Sequence, residues 1–289
     1  MPHGAHGAHG ALWAVESWTM SGAGKASAFL TVDQPVLSAA TRAKRTANVG
    51  MCDGVLGDER IHVTVDAENK RSLLLDGPST SGFVQSQLRC KGSPELFMGS
   101  CDDPLIRKAW RCELPEPLEL SEAFPYVAAI LRRMEGCRKH PMKVLLLGLG
   151  GGTMQSYLDA TCPASQLLTV EASPGVLEAA RRFFGFTGPV HLSDARLALS
   201  QLVSEQRRFD AIVVDIADTV LDRSDVEHLN TLLKDGGLVL HNHTNQHKMM
   251  EQLDTFRSIF PDAQQQSFEG GNVLMSYTKH GPSQIAIQS

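Results

Sequence analysis

From residue 144 onward the chain alternates between short apolar runs and stretches with helical spacing. Val144-Leu145-Leu146-Leu147 contains no polar residue, which suits a central parallel strand buried on both faces. It runs into Gly148-Leu149-Gly150-Gly151-Gly152, and a helix is expected from about Thr153. Leu167–Val170, Val190–Leu192, Asp210–Val214 and Leu238–Leu240 repeat the short apolar run, and Asn272–Tyr277 adds a late strand. Pro174–Phe184 has helical spacing, with Ser173 placed to cap it and proline in its first turn. Asp225–Leu233 is a second such stretch, which Asp235-Gly236-Gly237 is expected to cap, and His247–Phe260 is a third, closed by Pro261. Alternating units of this length predict a doubly wound, Rossmann-like parallel sheet with helices on both faces. Ligands of such sheets sit at the carboxyl ends of the strands.

The earlier part has a different rhythm. Ile61-His62-Val63-Thr64-Val65 alternates, Glu68–Lys70 supplies a turn, and Ser72–Asp76 returns. With Phe83–Leu88 as a third strand, these form a small antiparallel β-domain. Pro115 and Pro117 mark a loop, Phe124–Met134 has helical spacing, and Pro141 breaks the chain before the main sheet. The division is then a low-complexity or flexible arm over 1–50, a β-rich domain over 51–120, the Rossmann-like domain over 121–280 and a tail over 281–289.

Charge and composition narrow the field. Of 289 residues, 42% are hydrophobic and 20% charged, so a packed core is expected. A formal net charge of −5 argues against a phosphate-backbone binder, so no nucleic-acid partner is expected. The six cysteines, at 52, 90, 101, 112, 137 and 162, form no C-x-x-C pair, so no structural zinc is expected. Reduced thiols inside a cell are the simpler reading. No apolar run approaches the roughly 20 residues needed to span a membrane. Met1–Gly10 repeats Gly-Ala-His. Residues 11–50 are rich in Ala, Ser and Thr, with Glu16 and Asp33 against Lys25, Arg42, Lys44 and Arg45. That composition weakly matches an organelle transit segment; a cytoplasmic location is expected, with targeting by residues 1–50 left open.

The candidate chemistry lies at the strand ends. The loop reads G-x-G-x-G, with Thr153 where a dinucleotide fingerprint would carry the last glycine. Glu171 ends the second strand, about 20 residues on, where a carboxylate can accept ribose hydroxyls. Asp194 ends the third strand and is placed to accept from an adenine amino group. Asp215 ends the fourth, in Asp215-Ile216-Ala217-Asp218. Each acid alone could equally be a helix N-cap or a solvated strand end. His241 and His243 share one face of the fifth strand, with His247 beginning the next helix. Packing or substrate roles are expected for them and no metal.

This ordered set resembles the class I S-adenosylmethionine-dependent transferases, whose sheet is seven-stranded and of the methyltransferase type. Residues 144–279 resemble the spermidine-synthase-like branch. Leu146 stands where many methyltransferases place an acid, and Asp215-Ile216-Ala217-Asp218 resembles the family's D-S-S-D. Leu73-Leu74-Leu75-Asp76-Gly77 and Phe83-Val84-Gln85 resemble the L-x-L-D-G…Q of its β-domain. Tyr126, 18 positions before Val144, falls where the family has a substrate-side tyrosine. The resemblance implies that Gly148, Leu149, Gly150, Gly151 and Gly152 cradle the donor, with Gln85 capping its methionine end. It further implies that Glu171 and Ala172 meet the ribose, and Asp194 and Ala195 the adenine. Asp215 would touch both donor and nucleophile, with Asp218 and Tyr126 completing the catalytic set. Helix capping for Asp218 and plain packing for Tyr126 stay open.

Departures from the polyamine pattern redirect the expected activity. The polyamine synthases have G-G-G-D-G-G, and Gly151 occupies the acid's position. In the family that acid helps hold the aminopropyl ammonium of decarboxylated S-adenosylmethionine and repels the carboxylate of the intact form. Glycine removes both effects and is expected to free amides for that carboxylate. Ser86-Gln87-Leu88-Arg89-Cys90 replaces the family's acid-rich segment, and Ala128 stands where a glutamate would follow the tyrosine. The methyltransferase domains that modify elongation factor one-alpha are more similar: Gly148–Gly152, Glu171, Phe184-Gly185 and Val84-Gln85-Ser86 all match their pattern. The expectation is an S-adenosylmethionine-dependent methyltransferase acting on an amine of a protein or small molecule. Aminopropyl transfer and an inactive interaction module are the alternatives. The resemblance also implies a homodimer through the β-domain.

Overall fold

The computed structural model describes residues 50–56, 59–65, 70–76, 84–91, 111–114, 120, 124–216, 221–243, 249–268 and 271–280. The chain divides into 1–42 and 43–289, and all of these residues belong to the second unit.

Five antiparallel strands come first, in spatial order: β1 (Gly50–Leu56), β2 (Glu59–Val65), β3 (Lys70–Asp76), β4 (Val84–Lys91) and β5 (Arg111–Cys112). The sequence pattern reveals β2 to β4. It hides β1, which carries two glycines and an aspartate and forms by pairing with β2 from Gly50↔Val65 to Leu56↔Glu59. In β4, Val84 pairs with Leu74 and Ser86 with Leu73, so Gln85 is the extra residue of a bulge.

Helix α1 (Pro125–Arg133) then leads into the main sheet: β6 (Lys143–Leu147), α2 (Thr153–Thr161), β7 (Gln166–Glu171), α3 (Pro174–Phe183), β8 (His191–Leu192), α4 (Ala195–Ser204), β9 (Phe209–Val214), α5 (Arg223–Leu232), β10 (Leu233–His243), α6 (Met249–Ile259), β11 (Gln264–Ser267) and β12 (Val273–Thr278). The spatial order is β11-β12-β10-β9-β6-β7-β8, parallel from β10 to β8 and antiparallel at β12 and β11. Strand order reverses between β6 and β9, and that switch point is where such sheets open a crevice.

The two-residue period of the strands sorts the core into layers. Leu145, Leu147, Ile212, Val214, Val239 and Met275 pack with α4, α5 and α6 on one face. Val144, Leu146, Ala211, Val213, Leu240 and Leu274 pack with α1 and α2 on the other. A third cluster joins the five-stranded sheet to α3, with Val63, Leu73 and Leu88 against Val176, Leu177, Phe183 and Phe184. Fully buried Arg71 fastens this junction from β3 by donating to the carbonyl of Phe183 at the end of α3. Burial lowers its pKa to about 9, and a cation there complements the helix dipole.

Several expectations need correction. Asp235-Gly236-Gly237 does not cap α5, which ends earlier; it lies within β10 as an irregularity, and the Gly236 N–H donates to the Lys279 carbonyl. Strand β11, all polar and exposed, carries no apolar signal and is held by its pairing with β12. The expectation of reduced thiols is overturned for four cysteines. Cys90 and Cys112 form a disulfide across β4 and β5, and Cys137 and Cys162 join the turn after α1 to the end of α2.

Candidate active site

The glycine loop is shaped by collisions that any side chain would cause. Gly148, Gly150 and Gly152 have φ of 99°, 53° and 77°, the left-handed region that favours glycine. A Cβ on Gly148 would lie 2.0 Å from the Asp215 carbonyl oxygen, and one on Gly152 would lie 2.5 Å from the Phe186 ring. Backbone bonds gather three strand ends here: Gly148 N–H donates to Val170, and Asp215 N–H donates to Leu147. Glu171 braces the same loop. Its two oxygens accept the Leu149 N–H at 2.9 Å and the Ser173 N–H at 2.8 Å. Gly151 differs from the expectation. Its N–H is already donated, to the Ser86 hydroxyl at 2.8 Å, so that amide is not left for a donor carboxylate.

Asp215 is the centre of the polar cluster at the switch point. Asn242, at the end of β10, donates its amide to one Asp215 oxygen at 2.9 Å. Tyr126, in the first turn of α1, makes a side-chain hydrogen bond to the same carboxylate. Burial pushes the Asp215 carboxyl above its ordinary range, and the bonds from Asn242 and Tyr126 pull it part of the way back. The Tyr126 hydroxyl is raised well above the ordinary phenol value, by burial first and then by the charge of Asp215. Tyr126 therefore stays protonated and donates. What results is an acid of raised basicity, fixed by two donors, directly beside the glycine loop.

No family model matches the chain. A polyamine aminopropyltransferase of Vibrio vulnificus is 29% identical over 191 residues, covering 61% of this chain and 64% of that protein. The bovine eEF1A lysine and N-terminal methyltransferase is 32% identical over 94 residues, covering 30% of this chain. The chain spans 13% of the length of that protein. Among solved structures, a probable spermidine synthase from Corynebacterium glutamicum superposes with a TM-score of 0.53 at 17% identity, over 78% of this chain and 79% of that one. The spermidine synthase of Thermotoga maritima gives 0.53 at 15% identity, over 84% and 79%. The fold is that of the spermidine synthases.

In this transferase fold the remaining expected site residues are placed as follows. Asp194 caps α4, its Oδ1 accepting the N–H groups of Arg196 at 2.9 Å and Leu197 at 3.4 Å. Leu149 and Ala195 are buried, and Ala172 is exposed at the end of β7. Asp218, His247 and the side chain of Gln85 lie outside the described residues. The residues present fit the donor that the fold implies. The loop admits no Cβ at 148 or 152, and Thr153, at the first position of α2, has a buried hydroxyl with no partner among the described residues.

His241 and His243 share a face as expected, but it is the face opposite Asn242. Their rings lie 3.8 Å apart, packed against Phe256, and His243 Nδ1 is 2.8 Å from the Gln252 amide oxygen on α6. Sequence reasoning noticed these histidines and missed Asn242 between them. Its signal was a polar residue two positions past the apolar run Leu238–Leu240, at the carboxyl end of a parallel strand. Ser86 carries no local signal of its role, because its partnership with Gly151 joins residues 65 positions apart.

Proposed function

We propose that the chain is an S-adenosylmethionine-dependent methyltransferase that N-methylates an amine of a protein or a small molecule. One observation carries the choice of methyl over aminopropyl transfer: position 151 is a glycine with no room for an acid. Gly148, Leu149, Gly150 and Gly152 would cradle the donor, and the Thr153 hydroxyl would face its amino-acid end. Glu171 would hold the ribose, with Ala172, Asp194 and Ala195 at the adenine end. The donor supplies a methyl group on a positively charged sulfur. The residues do the rest, chiefly by positioning. Asp215 accepts the proton that the amine loses, at a carboxylate whose raised pKa makes it a better base. Tyr126 and Asn242 orient that carboxylate, and Asp218 is the proposed second acid.

The expected partner is an amine-bearing protein or metabolite, with a homodimer formed through the five-stranded sheet and no nucleic acid. No helix among the described residues is long and apolar enough to cross a membrane. Cytoplasmic residence is part of the proposal, and the disulfides Cys90–Cys112 and Cys137–Cys162 weigh against it; thiol labelling in intact cells decides the matter.

The test is calorimetry with S-adenosylmethionine and its decarboxylated form, followed by transfer of labelled methyl to cell extract. Tighter binding of the intact form, and transfer that Asp215→Asn abolishes, are expected. Preference for the decarboxylated form would establish aminopropyl transfer instead, the activity in the name of the Vibrio relative. Binding of neither would leave an interaction module.

A further inference from the structure

Gly151 is required for a different reason from its neighbours. It is absent from the left-handed glycines of the loop, so its conformation is open to any residue. The space around it is not. A Cβ there would lie 2.8 Å from the Ser86 Cβ and 3.1 Å from the Phe184 ring. Real Cβ atoms essentially never come within 3.0 Å of a neighbour, so something would have to shift. The Ser86 Cβ is fixed directly to the backbone of β4 and cannot swing aside. Ser86 and Phe184 are both buried, and the Ser86 hydroxyl also accepts the Gly151 N–H. The bulge at Gln85 lies immediately before Ser86, where an extra residue re-aims the side chains that follow.

We propose that Ser86 is the positioning and donor-specifying residue of this site. Its hydroxyl clamps the glycine loop to the five-stranded sheet. Its Cβ, with Phe184, keeps position 151 without a side chain, so the amino-acid end of the donor meets no carboxylate there. Intact S-adenosylmethionine is thereby selected over its decarboxylated form. This rests on the methyltransferase reading above. It adds that the selection is enforced by the N-terminal sheet as well as by the loop sequence. Restoring the acid at 151 alone therefore cannot convert the site.

The experiment uses the full chain with S-adenosylmethionine, S-adenosylhomocysteine and decarboxylated S-adenosylmethionine as calorimetric probes. Ser86→Ala keeps the Cβ and removes the acceptor. It should fold, bind the preferred donor about tenfold more weakly, as loss of one buried hydrogen bond implies, and speed hydrogen exchange at the Gly151 amide. A global loss of stability would instead speed exchange throughout the core. Gly151→Asp should lose at least tenfold in affinity for all three probes. Gly151→Asp with Ser86→Gly should recover binding of the decarboxylated probe and shift the preference toward it by at least tenfold. Unchanged affinity and exchange in Ser86→Ala would overturn the clamp, whichever donor the wild type prefers. Full-strength binding of the decarboxylated donor by Gly151→Asp alone would overturn the steric selection. A wild type that prefers the decarboxylated donor would overturn the methyltransferase reading and the selection together, while the Ser86→Ala result would still decide the clamp. If Gly151→Asp fails to fold, Gly151→Ala decides the steric constraint. Adding Ser86→Gly to it should restore at least half of the donor affinity and urea midpoint that Gly151→Ala loses, and no restoration rejects the idea.

Discussion

Tyr126 and Asp215 meet through a side-chain hydrogen bond across the switch point, one from the first turn of α1 and the other from the end of β9. Strand β9 carries Asp215 past Val214 to the edge of the glycine loop, and the packing of Val127, Ile130 and Leu131 against the sheet brings α1 over it. The bond has a direction. Burial keeps the phenol protonated and makes the carboxylate the acceptor. With Asn242 donating from the other side, both donors favour the charged form of an acid that burial disfavours.

Tyr126→Phe should therefore do two separable things. It removes one orienting bond, which is worth about tenfold in kcat. It also removes an influence that lowers the Asp215 pKa. Since the base acts when deprotonated, activity rises with pH through that pKa, and the acidic limb of kcat/KM should move upward. A profile lowered uniformly with no shift of the limb would assign Tyr126 to packing alone.

Asn242→Asp is the stronger perturbation of the same acid. It exchanges a donor at 2.9 Å for a second carboxylate. Like charges at that distance raise the pKa of one member, so the acidic limb should move further than in Tyr126→Phe. Donor affinity should change less than about threefold, because Asn242 binds Asp215 and not the loop. Calorimetry beside the pH profile separates the two effects.

Most of this site's scaffold was readable because its signals are local. The apolar run Val144–Leu147, the glycines after it and the Ser173-Pro174 start of α3 each state their role within a few residues. The Ser173 hydroxyl does accept the Val176 N–H. What stayed hidden depends on partners far along the chain. Strand β11 consists of Gln264, Gln265, Gln266 and Ser267 and exists through β12. Gly236 resembles a helix cap in sequence, yet its N–H is satisfied by Lys279 after β12. Gly151 stands out in sequence through the charge it lacks, but its local constraint is steric and comes from Ser86 and Phe184. Asn242 was passed over between two histidines because the strand period sends it to the opposite face.

Gly148→Ala tests how tightly the loop and Asp215 are joined. The new Cβ would start 2.0 Å from the Asp215 carbonyl, at a φ of 99°. The backbone of one of the two strand ends must move. A loss of about 3 kcal/mol is expected, typical of a forced core overlap, with a lower urea midpoint and an unchanged m-value. Activity should fall further than stability accounts for, because Asp215 moves with its carbonyl.

The buried pair His241 and His243 should make the protein acid-labile. Burial lowers both pKa values below 6.5, helped at His241 by its neighbour and opposed at His243 by the Gln252 bond. A lowered folded-state pKa means that the unfolded chain binds protons first. The pair's stabilising contribution is complete above about pH 6.5 and is lost as pH falls toward the folded-state values. Chemical denaturation between pH 8 and pH 5 should show stability declining through this range. His241→Leu should flatten the decline at little cost near pH 8, since His241 Nδ1 has no partner among the described residues to lose. His243→Leu should flatten it as well but cost about 1–3 kcal/mol at pH 8, by leaving the buried Gln252 oxygen unpaired. Parallel pH profiles for the wild type and His241→Leu would rule out the pair as the source of the acid sensitivity.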